Sequence, residues 1–137
     1  MLNMTDGFIH DETHVYRVTN YALIIAKEYK DIKENILIAS CLLHGIGRVM
    51  QGKGNLICHA IQGGSMAYQF LKQEGSDETD WLHVKECIAS HRCKSKLLPK
   101  TMDAKILFDA DKLVITGAIG ILRVLLYKRL MEESIYL

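Results

Sequence analysis

The stretch KENILIASCLLHGIG, residues 33–47, decides the fold class of this chain. Its middle, ILIASCLL, is almost entirely apolar, which predicts a buried helix because no polar stripe interrupts it. Gly45 and Gly47 follow directly and are typical of a helix end. We therefore expect a helix over residues 33–44. The histidine that ends it, His44, is either a satisfied core residue or a ligand, and this stretch alone leaves both open.

Helical spacing continues upstream of this stretch. Apolar residues recur in steps of three and four from Val15 to Tyr29. Such steps place them on one stripe of an amphipathic helix. Asp11 or Thr13 is the expected cap at its start.

Downstream, the pattern predicts three more helices and no alternating strand. The lone proline, Pro99, falls in the connector before the last of them. We therefore expect an all-α single domain over residues 1–137, built as a bundle of five main helices. The three downstream helices are expected from Cys58 to Glu74 with Gly75 at the end, from a cap at Asp77 or Thr79 to about His91, and from near Met102 to about Glu133.

The composition is that of a globular protein close to electrical neutrality. Hydrophobic residues make up 49% and charged residues 24% of the 137 residues, which excludes a disordered tail. The 17 Lys and Arg residues exceed the 16 Asp and Glu residues by one, giving a net charge of +1. This balance argues against a nucleic-acid polymer as partner, because such binders neutralise many phosphates.

Compartment signals point to the cytoplasm. No segment has the roughly 18 uninterrupted apolar residues that a membrane span needs, so we expect no membrane partner. Residues 1–10 are polar and contain Asp6, unlike a secretory signal. The cysteines lack CxxC spacing, which favours reduced thiols in a cytoplasmic protein. They are Cys41, Cys58, Cys87 and Cys93.

Six histidines are many for so small a chain. Four of them fall at the ends of the predicted helices, where several helices direct side chains into one cleft. These four are His14, His44, His59 and His91.

Asp111 raises a similar question, because it lies on the flank of a broad apolar helix face that includes Leu113. A buried carboxylate is costly unless it is paired, hydrogen-bonded or metal-bound. It therefore pairs with a basic residue such as Lys112 or Arg17, or it binds a metal.

Five segments, in order, resemble the HD-domain superfamily of small, metal-dependent phosphohydrolases. The resemblance covers residues 8–125 and implies an all-α bundle. The segments are HDETHVYRV at residues 10–18, LLHGIGR at 42–48, the helix opening at 59–67, IASH at 88–91 and DADKL at 109–113.

This resemblance implies a metal centre and a reaction. Its metal ligands would be His14, His44, the residue after His44, and Asp111. The implied ion is divalent, with Mn, Fe, Co, Ni, Zn or Mg as candidates. The implied partner is a small phosphorylated molecule, nucleotide-like, whose phosphate ester or phosphoanhydride is hydrolysed.

The chain departs from the family pattern directly after His44. Gly45 stands where the resemblance implies an aspartate, so one carboxylate ligand is missing. Three interpretations remain: a weakened phosphohydrolase with one metal, an inactive ligand-binding or regulatory module, or an altered sequence whose parent has Asp here.

Other polar residues have predicted roles at the same cleft. Arg17 follows His14 by three residues, so both face the same side of the helix. Its guanidinium either binds a substrate phosphate or pairs with Asp111 or Asp109. In the first case Arg17 is a catalytic residue, and Asp111 is the other residue predicted to be catalytic. The predicted substrate-binding set is completed by His59, His91 and Lys112. For the two histidines the alternative is lining of the cleft, and for Lys112 we favour a position in solvent over contact with phosphate.

Two further possibilities concern other parts of the chain. His83, Cys87 and His91 share a helix face at spacings of four, a candidate zinc site. Three ligands on one straight helix cannot surround a tetrahedral ion, so we expect His83 at the surface. The apolar segment Ile119–Tyr127 suggests a homo-oligomer.

Overall fold

The computed structural model describes residues 12–47, 58–92, 97–114 and 122. Within these ranges it contains helices and no strand, so the expected all-α fold is confirmed. Five helices are described: α1 (Glu12–Ala26), α2 (Glu34–Leu43), α3 (His59–Glu74), α4 (Glu78–Ala89) and α5 (Met102–Leu113).

The helix ends follow local capping chemistry. Of the two candidate caps for α4, Asp77 is the one used, because its carboxylate accepts a hydrogen bond from the Thr79 amide at 3.3 Å. Thr101 caps α5 in the same way, accepting from the Ala104 amide at 3.2 Å. Gly75 ends α3 with a left-handed φ of 80°, a conformation that glycine adopts without strain.

Some sequence expectations at the ends need correction or lie beyond the described ranges. Thr13 lies inside α1 and does not cap it, while Asp11 is outside the described residues. The expected continuation of the last helix to Glu133, and most of the apolar segment Ile119–Tyr127, also lie outside them.

The core lies where α1, α2, α4 and α5 meet, with α3 packed against α4. Burying these apolar faces is the main source of stability in such a bundle. Its fully buried members include Val18 and Ala22 on α1, Leu37 and Cys41 on α2, Cys87 and Ile88 on α4, and Leu107 and Ala110 on α5.

Glycines bring the backbone after α2 against α3. A Cβ atom on Gly47 would overlap the His59 carbonyl oxygen and lie 2.6 Å from the Gly63 amide nitrogen. Only a residue without a side chain permits this approach. As a result the end of α2, which carries His44, lies beside the start of α3, which carries His59.

Among the described residues no helix is both long and apolar enough to cross a membrane.

Candidate metal centre

Three helices each direct one side chain to a common point. His14 lies in the first turn of α1, His44 directly follows α2, and Asp111 lies in the last turn of α5. The Asp111 Oδ1 atom is 3.3 Å from His14 Nε2 and 3.5 Å from His44 Nε2. The two Nε2 atoms are 3.4 Å apart. One potential ligand atom from each residue therefore lies within 4.8 Å of the others.

The His44 ring is oriented for ligation. Its Nδ1 donates a hydrogen bond to the Cys41 carbonyl oxygen at 2.6 Å. A carbonyl only accepts, so Nδ1 carries a proton, and Nε2 is the ring atom that faces the other two residues and would offer a lone pair to a metal ion when it carries no proton. A backbone carbonyl that fixes the ring in this way is typical of metal-ligating histidines. The His44 side chain is 0% exposed, so no solvent competes for this position.

Asp111 is ionised in this arrangement. Burial opposes the charged form, but hydrogen bonds from His14 and His44 outweigh it and hold the pKa of Asp111 below its usual range. An anionic oxygen beside two imidazole nitrogens is a donor set that suits a divalent transition metal. The residues present therefore fit such an ion.

The remaining two histidines of the predicted cleft extend this cluster. The His91 ring lies 5.3 Å from the His44 ring and 5.7 Å from the His59 ring, measured between centroids. The four rings thus form one row, with His14 next to His44 at 5.4 Å. All four side chains are buried. Burial, and then the neighbouring His44, lower the pKa of His91 to about 4, so His91 is neutral at physiological pH.

Lys112 and Arg17, the two basic residues considered as partners of Asp111, differ in their contacts with it. Lys112 Nζ is 3.8 Å from Asp111 Oδ2, which agrees with the pairing alternative for this lysine and corrects the preference for solvent. Arg17 is partly buried, and the ion pairs of the described residues do not join it to Asp111 or Asp109.

The Asp111 side chain faces the protein interior more than a helical-wheel projection of α5 predicts. Leu113, expected on the same apolar face, is 39% exposed, whereas Leu107 is fully buried. The buried face of α5 is therefore rotated toward Leu107, which turns Asp111 toward the histidines.

The rival zinc site does not form. Within the described ranges the cluster of His14, His44 and Asp111 is the only group of three or more such ligands that converges. The expectation of a surface position for His83 is wrong. Its ring is partly buried, with Nε2 3.4 Å from an Asp103 carboxylate oxygen and 3.1 Å from the Thr101 hydroxyl.

Sequence reasoning missed Asp103. This residue is 3% exposed although it lies in the first turn of α5. Acids in a first turn usually face solvent, where they interact favourably with the helix dipole. The only signal in the sequence was an acid beside a run of core residues, and its partner, His83, lies on another helix.

A sequence model of the HD domain family matches residues 12–115. The chain belongs to the HD domain family. The match covers all five described helices, so the resemblance inferred from the five motifs is confirmed.

A solved HD-domain relative has the same architecture. It is a predicted HD superfamily hydrolase from an uncultured Thermotogales bacterium, with a TM-score of 0.70 and 34% sequence identity. The alignment covers 86% of this chain and 64% of that chain, so the present chain spans less than two thirds of the relative's length. No curated protein matches the chain.

That the HD-domain pattern has an aspartate at the position of Gly45 stays a prediction. Gly45 follows His44 at the end of α2 and is partly buried. Among the described glycines, Gly75 is the one with a positive φ. The backbone at Gly45 is therefore in a region that an aspartate also adopts.

Proposed function

We propose that this HD domain is a metal-dependent phosphohydrolase that acts on a small phosphate ester or phosphoanhydride. The observation that supports it best is the convergence of His14, His44 and Asp111 from three helices, with the His44 ring oriented by the Cys41 carbonyl. A divalent ion held by these residues would acidify a water molecule and neutralise charge on phosphoryl oxygens.

The protein's own residues supply binding and orientation around that centre. Arg17 lies one turn after His14 on α1, where its guanidinium would hold non-bridging phosphate oxygens. His91 is neutral, so it would offer its ring to a polar substrate group without repelling the ion. His59 is proposed as a further substrate contact.

The proposed substrate is nucleotide-like because of the family resemblance. The near-neutral charge of +1 favours recognition of a single small molecule over a polymer. The cysteine pattern supports a cytoplasmic reaction, and assembly as a homo-oligomer remains part of the proposal.

Gly45 supports a second candidate, an inactive HD-fold module that binds a ligand. Without a side chain at this position, two imidazoles and one carboxylate remain. A set of three protein ligands with open positions is also found in catalytic metal sites. The missing carboxylate would lower the metal affinity and leave the attacking water less well oriented. Both candidates therefore predict weaker metal binding than in a chain with aspartate at residue 45.

Elemental analysis combined with a phosphatase panel separates the two candidates. The variants are Gly45→Asp, Gly45→Asn as the uncharged control, and His44→Ala. We expect one equivalent of metal in the wild type and none in His44→Ala. Gly45→Asp should bind metal at least about tenfold more tightly, which corresponds to about 1.4 kcal/mol, and hydrolyse faster, whereas Gly45→Asn should not.

Each alternative has its own result. A metal-free wild type that still binds a nucleotide supports the inactive module. If Gly45→Asp gains neither metal nor activity, residue 45 is not a vacated ligand position.

A further inference from the structure

We propose that Lys112 is a positioning residue that fixes the Asp111 carboxylate and the end of α4 relative to each other. This inference rests on the proposed metal-dependent function and assigns Lys112 a role other than substrate binding. It starts from the contacts of one ammonium group.

Three groups surround the Lys112 ammonium. Its Nζ donates a hydrogen bond to the His91 carbonyl oxygen at 3.2 Å. The same atom is 3.8 Å from Asp111 Oδ2 and 4.4 Å from the centroid of the Phe108 ring. The ring lies one turn earlier on α5, where its face attracts a cation. The ammonium is therefore held from two sides on α5 and from one side by His91, which lies just beyond the end of α4.

The two oxygens of Asp111 have different partners as a consequence. Oδ1 faces His14 and His44, and Oδ2 faces Lys112. A carboxylate with a charged partner on one oxygen loses freedom of rotation, so Oδ1 stays directed at the two Nε2 atoms. Outer partners of this kind orient metal ligands and strongly affect metal affinity.

The contact with His91 extends the effect to α4. His91 follows the last helical residue, Ala89, by two positions. A cation beside this end of α4 interacts favourably with the helix dipole. The Lys112 ammonium hydrogen-bonds the His91 carbonyl, just beyond the helix, and ties it to α5. This contact holds the His91 ring at its distance from His44.

A substrate-binding role for Lys112 conflicts with this geometry. Reaching a phosphate would require the ammonium to leave the His91 carbonyl. That carbonyl belongs to a buried residue, and an unsatisfied buried carbonyl is costly. We therefore expect the ammonium to keep these contacts when substrate binds.

The test uses Lys112→Met, which keeps an apolar stem, and Lys112→Arg, which keeps the charge and donors. Lys105→Met is the matched control, because Lys105 is an exposed lysine two turns earlier on α5. Mn²⁺ or Co²⁺ affinity is measured by calorimetry for all variants, followed by kcat and KM on a panel substrate that the wild type hydrolyses.

Lys112→Met should weaken metal binding about tenfold or more, in line with other outer partners of metal ligands. It should lower kcat more than it changes KM, while Lys112→Arg and Lys105→Met stay within about threefold of the wild type, a difference below 1.4 kcal/mol. Unchanged or tighter metal binding in Lys112→Met overturns the proposal. So does a raised KM with unchanged metal affinity, since that result assigns the lysine to the substrate.

A metal-free measurement separates this inference from the proposed function. The amides of Ser90 and His91 donate to carbonyls of α4, so their hydrogen exchange reports on the helix end. Lys112→Met should accelerate this exchange and Lys112→Arg should restore it, even if the wild type binds no metal. If hydrogen exchange in Lys112→Met equals that in Lys105→Met, the proposed link between Lys112 and the end of α4 is wrong.

Discussion

At the scale of single residues, the described cysteines lie in two kinds of environment. Cys41 and Cys87 are fully buried, and burial raises the pKa of each thiol to about 12. Cys58 is partly exposed next to the start of α3. Its partial burial raises the pKa, but the Ala60 amide and the Arg92 guanidinium lower it by more, so the net pKa lies below its ordinary value.

We therefore expect Cys58 to react first with a thiol reagent under native conditions. The experiment uses a Cys93→Ser background, so that only these three thiols contribute. At pH 7.5, Ellman's reagent should modify about one thiol quickly, because the thiolate is the reactive form. Adding Cys58→Ser should abolish that phase. Equal rates for Cys41 and Cys58 would contradict the assigned environments.

Residues of the candidate site could be predicted from the sequence where they lie at the ends of predicted helices. The sequence placed His14, His44, His59 and His91 at such ends, and the structure brings the four rings together. The contacts of Lys112 with His91 and of Asp103 with His83 were not predictable. Each joins residues on different helices, and no local pattern encodes which turns of two helices meet.

At the scale of helices, the contact between Gly47 and α3 decides how closely His44 and His59 approach. The Cβ atom of an alanine at residue 47 would overlap the His59 carbonyl oxygen and crowd the Gly63 amide. Both are backbone groups, so they cannot move aside without displacing α3. The absence of a side chain at residue 47 therefore sets how closely the end of α2 packs against the start of α3.

Gly47→Ala should lower the free energy of unfolding by about 3 kcal/mol or more, at the upper end of overpacking effects. Gly75→Ala is the contrasting variant, because a Cβ atom there meets nothing within 4 Å and only the φ of 80° is strained. It should cost about 1 kcal/mol. Urea denaturation of both variants measures the difference. A smaller effect at residue 47 than at residue 75 would show that the packing argument is wrong.

Several helix boundaries were predicted to within one residue. The predicted second and third helices each begin one residue before α2 and α3, whose first residues are Glu34 and His59, and Gly75 ends α3 as expected. The rotation of α5 about its axis was predicted less well, since Leu113 is exposed. Periodicity gives the width of an apolar face, whereas the packing partners decide which flank is buried most.

At the scale of the whole molecule, the buried Asp103 couples stability to pH. Burial raises the pKa of Asp103, and the nearby His83 and Lys33 offset this only in part. Between its unfolded value and its raised folded value, the folded chain binds more protons than the unfolded chain. The contribution of Asp103 to stability therefore decreases as pH rises through this window.

Asp103→Asn removes this titration. The free energy of unfolding of the wild type should fall relative to that of Asp103→Asn as pH rises from 4 to 7, measured by urea denaturation at each pH. Asp31→Asn, which removes an exposed carboxylate, should show no such trend. A difference between the wild type and Asp103→Asn that is constant with pH would contradict the raised pKa.

An ion at the candidate centre would link α1, α5 and the end of α2, so binding should stabilise the whole bundle. At a free metal concentration 100 times the Kd, the gain is about 2.7 kcal/mol, which for a chain of 137 residues corresponds to a Tm increase of about 10 °C. Calorimetric melting with Mn²⁺ or Co²⁺ at pH 7.5 tests this, because both imidazoles must be neutral to bind. Asp111→Asn should lose the increase, whereas Asp109→Asn, an exposed acid two residues away, should keep it. An equal increase in Asp111→Asn would place the ion elsewhere on the molecule, since the carboxylate that joins α5 to the two histidines would then be dispensable.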